Sequence, residues 1–213
     1  MPLSFTDAVL ESARVSVELA LSDPVRARWT DESSCEGMTV GGLAHHLTSQ
    51  VDLLIRLYAE APAASAPTSV LDHYRQAPWA NAGVDDEVNV RIRTGADEQA
   101  AGGPQVHAEQ VRSSLDALPA ALARVDDDDP VLIPWQGWSL TAADFAVTRL
   151  MEMVVHADDL AASVDLDTPA FPTEAVRRVV GLLAGVAVDR HGQAAVVRTL
   201  SRPQRAPASV SAF

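Results

Sequence analysis

The sequence contains no lysine: all 16 of its basic residues are arginines. That absence excludes a lysine Schiff base, a pyridoxal phosphate anchor and the lysine of a phosphate-binding loop. Cysteine is almost as scarce. Cys35 is the only one, so neither an intrachain disulfide nor a multi-cysteine metal cage can form, and any metal must use His, Asp or Glu. Positive charge is outnumbered, 16 basic against 29 acidic residues for a net −13, and no basic cluster of the kind that neutralises phosphates stands at either end or in the middle. This argues against nucleic acid as a partner. Long hydrophobic runs are missing as well: the longest apolar-rich stretch, Val179 to Val188, is about half of what a membrane span requires. Asp7 and Glu11 interrupt the N-terminal stretch before a signal-peptide core can build, so a cytoplasmic protein is expected.

What is present suits a helical globule. Of the 213 residues 47% are apolar, enough for one domain over residues 1–213 with its own core. Val9, Ala13, Val17, Ala20 and Leu21 recur at helical spacing from about Ser4 to Leu21. Thr39 is placed to cap a second helix, running to about Glu60, whose inner face carries Leu43, His46, Leu47, Gln50, Leu54, Leu57 and Tyr58. An Ala/Pro/Ser-rich loop over residues 61–69 precedes a short helix from Val70 to Gln76. From Asn81 to Gly103 the alternation of Val88, Val90 and Ile92 suggests a strand, while the charged context favours helix.

Pro104 opens a helix that passes through Leu122 and is stopped by the Asp126–Asp129 run, which lacks the alternating spacing of a calcium loop and reads as a solvated helix end. Val131 to Ser139 is expected to be an extended connection. Thr141-Ala-Ala-Asp144 approximates a capping box for a helix to about Ser163, Thr173 is placed to cap another before Gly192, and a short helix near Ala194–Leu200 precedes a Pro-containing tail. The fold class expected is all-α: a four-helix bundle with long connections and accessory C-terminal helices.

Two of these helices carry residues with chemical potential. At 100° per residue, His46 lies at about −60° from Leu43 and faces inward, whereas His45 lies at about 200° and faces outward. A lone inward histidine is most often a core residue bonded to a carbonyl. Glu152 and His156 are four residues apart and share a helix face, with Phe145 and Thr148 above them and Asp159 below. They read either as a solvated ion pair or, with His46 from across the bundle, as the two-imidazole, one-carboxylate set that holds divalent metals and leaves a position open. Cys35 has no basic neighbour in sequence and reads as an incidental thiol. Trp135 and Trp138 read as core residues or as walls of a pocket mouth, and His73, His107 and His191 as structural or exposed.

The stretch Cys35-Glu-Gly-Met-Thr-Val-Gly-Gly-Leu-Ala-His-His46-Leu47 resembles the C-x-G-W-T-V-x-x-L-x-x-H-L segment of the DinB-like, mycothiol-dependent maleylpyruvate isomerase family, with Met38 in place of the usual tryptophan. Arg149-Leu-Met-Glu152-Met-Val-Val-His156-Ala-Asp-Asp159-Leu160 is similar to its E-x-V-V-H-x-x-D-L motif. The resemblance implies a DinB-like four-helix bundle with a divalent metal, usually zinc, held by His46, Glu152 and His156. Asp159 matches the motif aspartate, implied to bond a ligand or pack the helix.

The isomerases carry a further C-terminal domain, for which the residues up to Phe213 leave no room. The implied activity is therefore that of single-domain relatives, which look like thiol S-transferases using mycothiol or a related thiol. The partners expected are a low-molecular-weight thiol and an electrophilic small molecule, with an oligomer left open. Two rivals stand beside this reading: a metal-dependent hydrolase or isomerase of the same fold, and a non-catalytic bundle that binds metal or a ligand.

Overall fold

A computed structural model describes residues 3–60, 62–83 and 85–213. Helix α1 (Phe5–Ala20) starts where Ser4 Oγ accepts the Asp7 amide, and α2 (Asp23–Ala27) carries Pro24 in its first turn. Then come α3 (Val40–Tyr58), α4 (Val70–Gln76), α5 (Glu87–Ala100) and α6 (Gly103–Leu122). An antiparallel hairpin, β1 (Pro130–Ile133) and β2 (Trp138–Thr141), leads into α7 (Ala142–Ser163), followed by α8 (Thr173–His191) and α9 (Gln193–Ser201). Among the described residues the fold is all-α apart from this hairpin. None of the described helices is long and apolar enough to cross a membrane.

Helices α1, α3, α6 and α7 form the bundle, with α3 central, packed also against α5. Leu43, Leu47 and Leu54 of α3 meet Phe145, Leu150, Met153 and Leu160 of α7 in a core closed to solvent. The two helices run antiparallel. At one end Tyr58 Oη donates to the Ala142 carbonyl at 2.7 Å. At the other, the loop before α3 is bonded to the last turns of α7: Ser34 Oγ donates to the Asp159 carbonyl (2.8 Å), the Ser34 amide to Ser163 Oγ (2.9 Å) and Arg28 Nη1 to the Ser163 carbonyl (3.1 Å).

Several expectations meet the structure with a difference. Val131–Ser139 is not merely extended: it pairs with itself around Gly137, whose φ of +82° suits the tight turn. Val131, Ile133, Ser139 and Leu140 are buried, and the hairpin also accepts the amides of Ala63 and Thr68 from the preceding Ala/Pro/Ser loop. The stretch around Val88 is helical, as its charged context favours; Val90 and Ile92 stay exposed, and Ala96 and Ala100 make the buried face. Pro172, not Thr173, is the cap position of α8, and Thr173 is its first residue. The aspartate run does more than end a helix, because the carbonyls of Asp129 and Asp127 accept the Ala142 and Ala143 amides and so cap α7, where acidic side chains also suit the helix dipole.

Candidate metal centre

The start of α3 is fixed by close packing. Thr39 Oγ1 accepts the Gly42 amide as an N-cap, and Asp97 of α5 accepts both the Thr39 amide (3.0 Å) and its hydroxyl (2.6 Å). Two glycines make room for these neighbours. A Cβ on Gly41 would stand 2.5 Å from Cε2 of the Trp29 ring, and one on Gly42 would collide with the Asp97 carboxylate. This packing sets the phase of α3, and one turn later His46 points at α7.

There it meets the residues expected from their spacing. His46 Nε2 lies 3.4 Å from Glu152 Oε2, and His156 Nε2 lies 3.2 Å from the same oxygen. The two imidazoles stand edge to face, centroids 4.7 Å apart. Phe145 and Thr148, on the same face of α7, are fully buried above the cluster. The cluster itself is partly open: the side chains of His46, Glu152 and His156 keep 21%, 12% and 22% of their exposure.

The electrostatics are those of a tight cluster. Burial alone would raise the Glu152 pKa, but the hydrogen bonds from His156 and His46, with the charges of His156 and Arg149, hold the carboxylate well below its usual range. Burial alone would lower the pKa of His156, yet its bonds to Asp159, Cys35 and Glu152 hold it well above the ordinary histidine value.

His156 Nδ1 lies 2.9 Å from Asp159 Oδ2. When the imidazole is neutral, a proton kept on Nδ1 by that carboxylate turns the Nε2 lone pair toward Glu152 and His46. The donor atoms of His46, Glu152 and His156 lie within 4.8 Å of one another. Two donors about 2.0–2.1 Å from a tetrahedral ion stand about 3.3 Å apart, so the two measured gaps fit a divalent ion between them, with two nitrogens and one oxygen as its ligands.

Sequence comparison adds the lineage: the mycothiol maleylpyruvate isomerase N-terminal domain family matches residues 10–161. The chain belongs to that family. No curated protein and no solved structure matches it. The family match runs from within α1 to the last turns of α7, so it spans all four bundle helices and both of the motifs that supply the cluster.

Other residues fall where sequence alone does not place them. Cys35 has no basic neighbour along the chain, but the fold gives it one: Cys35, His156 and Asp159 hold their donor atoms within 4.8 Å of one another. The contact joins residues from the two family motifs, and that shared membership is the one signal of it in the sequence. His45 points away from Glu152 as its helical phase requires, but into α6 rather than solvent, because α3 is central; its ring lies 6.1 Å from that of His107, and burial lowers its pKa.

Trp135 is exposed at the hairpin tip, while Trp138 Nε1 donates to His73 Nδ1 at 3.1 Å. His73 and His107 are buried, and His191 Nε2 donates to the Ser211 carbonyl. Gln50 and Arg149 form a polar link that periodicity could not reveal: Gln50 Nε2 donates to the His46 carbonyl (2.7 Å) and Arg149 Nη1 to Gln50 Oε1 (2.6 Å).

Proposed function

We propose that this chain is a metal-dependent transferase that conjugates a low-molecular-weight thiol, mycothiol in the first instance, to an electrophilic small molecule. The observation that carries the reading is the convergence of His46, Glu152 and His156 on one partly open point, in a chain whose family is named for mycothiol-dependent chemistry. A divalent cation such as Zn2+ held there would supply the charge that keeps a thiol ionised at neutral pH, where a free thiol of pKa ~8.5 is mostly protonated.

The protein's own groups have defined parts. Glu152 brings the single negative charge of the ligand set and is ionised at neutral pH. Asp159 fixes the ring of His156 and selects its tautomer. His46 is oriented by α3, whose first turn is locked by Trp29 and Asp97. Phe145 and Thr148, both fully buried, back the cluster on the side of α7 that precedes Glu152.

The test is product formation from a reactive electrophile, measured with and without mycothiol and with and without metal, for the native chain and for Cys35→Ser. Turnover that needs both thiol and metal and survives in Cys35→Ser supports the reading. Full turnover without thiol points to hydrolysis, and its loss in Cys35→Ser makes Cys35, which stands beside His156, the nucleophile. Thiol-dependent isomerisation uses the same constellation and returns the thiol, so thiol consumption separates it from transfer.

A further inference from the structure

Charge is unevenly spread along the chain: residues 190–213 hold four of the 16 arginines and none of the 29 acids. Spaced three to eight residues apart, these arginines do not read as a cluster in the sequence, but the fold gathers three of them. Arg198 and Arg202 stand one turn apart on α9, and Arg205 closes the 3-10 turn Pro203–Arg205 that follows. All three line one groove of about 490 Å³, together with Ala194 and Val197. Among the described residues none of the three meets a carboxylate. Arg202 Nη1 donates to the Ser201 carbonyl at 2.6 Å, and the side chains of Arg198 and Arg205 form no hydrogen bond or ion pair. The C-terminal dipole of α9 favours a cation nearby, yet like charges four residues apart repel each other. Charges more than about 8 Å away are largely screened at physiological salt, so the residues of the groove decide what it attracts.

A second observation concerns the same helix. Leu200 is 74% exposed and Val197 53%, and three residues apart they are neighbours on the surface of α9. The helix packs on α8 and buries Val196, which leaves these two side chains and the arginines in solvent. The segment that forms the groove is held at both ends. Beyond it the chain is tied back to α8, where Arg190 Nη1 donates to the Ala212 carbonyl and His191 Nε2 to the Ser211 carbonyl, each at 2.7 Å.

An occupant that suits such a groove is small, multiply anionic and partly apolar. A second copy related by a two-fold axis would set these arginines against themselves. A lipid surface would find only two exposed apolar side chains on α9 to take up.

We propose that the groove along α9 binds a small organic diphosphate. Its phosphate oxygens meet the guanidinium forks of Arg198, Arg202 and Arg205, which match phosphate geometry, and its organic part lies on Ala194 and Val197 with Leu200 at the rim. The groove shares no residue with the metal cluster and lies outside the family match, so it is a site separate from the thiol chemistry.

ADP, inorganic pyrophosphate and adenosine serve as probes, titrated calorimetrically into the native chain. ADP and pyrophosphate are expected to bind, ADP the tighter of the two, and adenosine is not. Replacing Arg198, Arg202 and Arg205 together by glutamine should weaken both anions at least tenfold with the melting temperature unchanged or higher, because these exposed arginines hold nothing together. Val197→Ser should weaken ADP severalfold and leave pyrophosphate as it was, which a merely electrostatic patch would not show. His46→Ala should bind ADP as the native chain does.

Equal binding by the native chain and the triple variant, or no saturable binding by the native chain at millimolar concentration, overturns the proposal. So does ADP binding that is lost in His46→Ala or unchanged in Val197→Ser. Capture of the native chain by phosphatidylserine vesicles, lost in the triple variant and without any binding of the soluble diphosphates, would assign the face to a membrane surface and overturn it as well.

Discussion

Asp159 stands three residues beyond His156 on the same helix, and its Oδ2 lies 2.9 Å from His156 Nδ1. With the contacts to Cys35 and Glu152, this one sets which nitrogen of the ring faces Glu152. In the Asp159→Ala variant the imidazole loses the partner that holds the proton on Nδ1. Metal affinity, read by competition with a chromophoric chelator, is expected to fall by about 10–100-fold with the helical circular dichroism unchanged.

The ligand set itself is tested by four alanine variants. His46→Ala, Glu152→Ala and His156→Ala are each expected to lose bound metal on elemental analysis, since two remaining donors make an incomplete site. His45→Ala should keep its metal, because His45 turns toward His107 on the opposite side of α3. Equal loss in the His45 and His46 variants would place the site elsewhere.

Gly41→Ala probes the link between packing and the cluster. The new methyl would press on the Trp29 ring, whose Nε1 is bonded to the Ala100 carbonyl at 3.1 Å and so cannot easily withdraw. Destabilisation of about 1–3 kcal/mol is expected in urea titrations, with weaker metal binding because the first turn of α3 carries His46 with it.

Acid stability should depend on His73 and His107. Burial pushes both down to about 4, reinforced at His73 by the charge of Arg149 and at His107 by that of His45. Between that value and the ordinary histidine pKa of about 6.5, the unfolded chain binds protons that the folded chain refuses. Stability is therefore full above that window and falls as pH drops through it, by on the order of 1–3 kcal/mol for each ring. At His73 the cause is concrete: Nδ1 accepts the Trp138 indole N–H, a bond that a proton on Nδ1 would break. Urea midpoints between pH 4 and pH 7 should fall less steeply in a His73→Gln variant.

How far the sequence can be read depends on whether the governing contact is local. The wheel that turns His46 inward and the four-residue step from Glu152 to His156 are properties of single helices, and both side chains stand where the period puts them. Thr39, Ser69 and Thr141 cap helices for equally local reasons. The 3.2 Å and 3.4 Å gaps depend on how α3 packs on α7, which a single helical period does not contain.

Cys35 beside His156 joins residues 121 positions apart, and no property of either segment alone announces it. His45 meets α6 where the wheel suggests solvent for the same reason, since a wheel gives direction but not what lies there. The Gln50–Arg149 bridge is a tertiary fact with no signature in composition or spacing.

The pair of helices that bears the cluster is fastened at both ends, by Tyr58 to Ala142 above and by Arg28 and Ser34 to the final turns of α7 below. A jaw hinged at neither end has no opening step for an arriving ion to wait on. Loading of the metal-depleted protein should therefore proceed at a rate strictly proportional to cation concentration. A ceiling on that rate at high concentration would mean that one of the two fastenings lets go before the ion can enter.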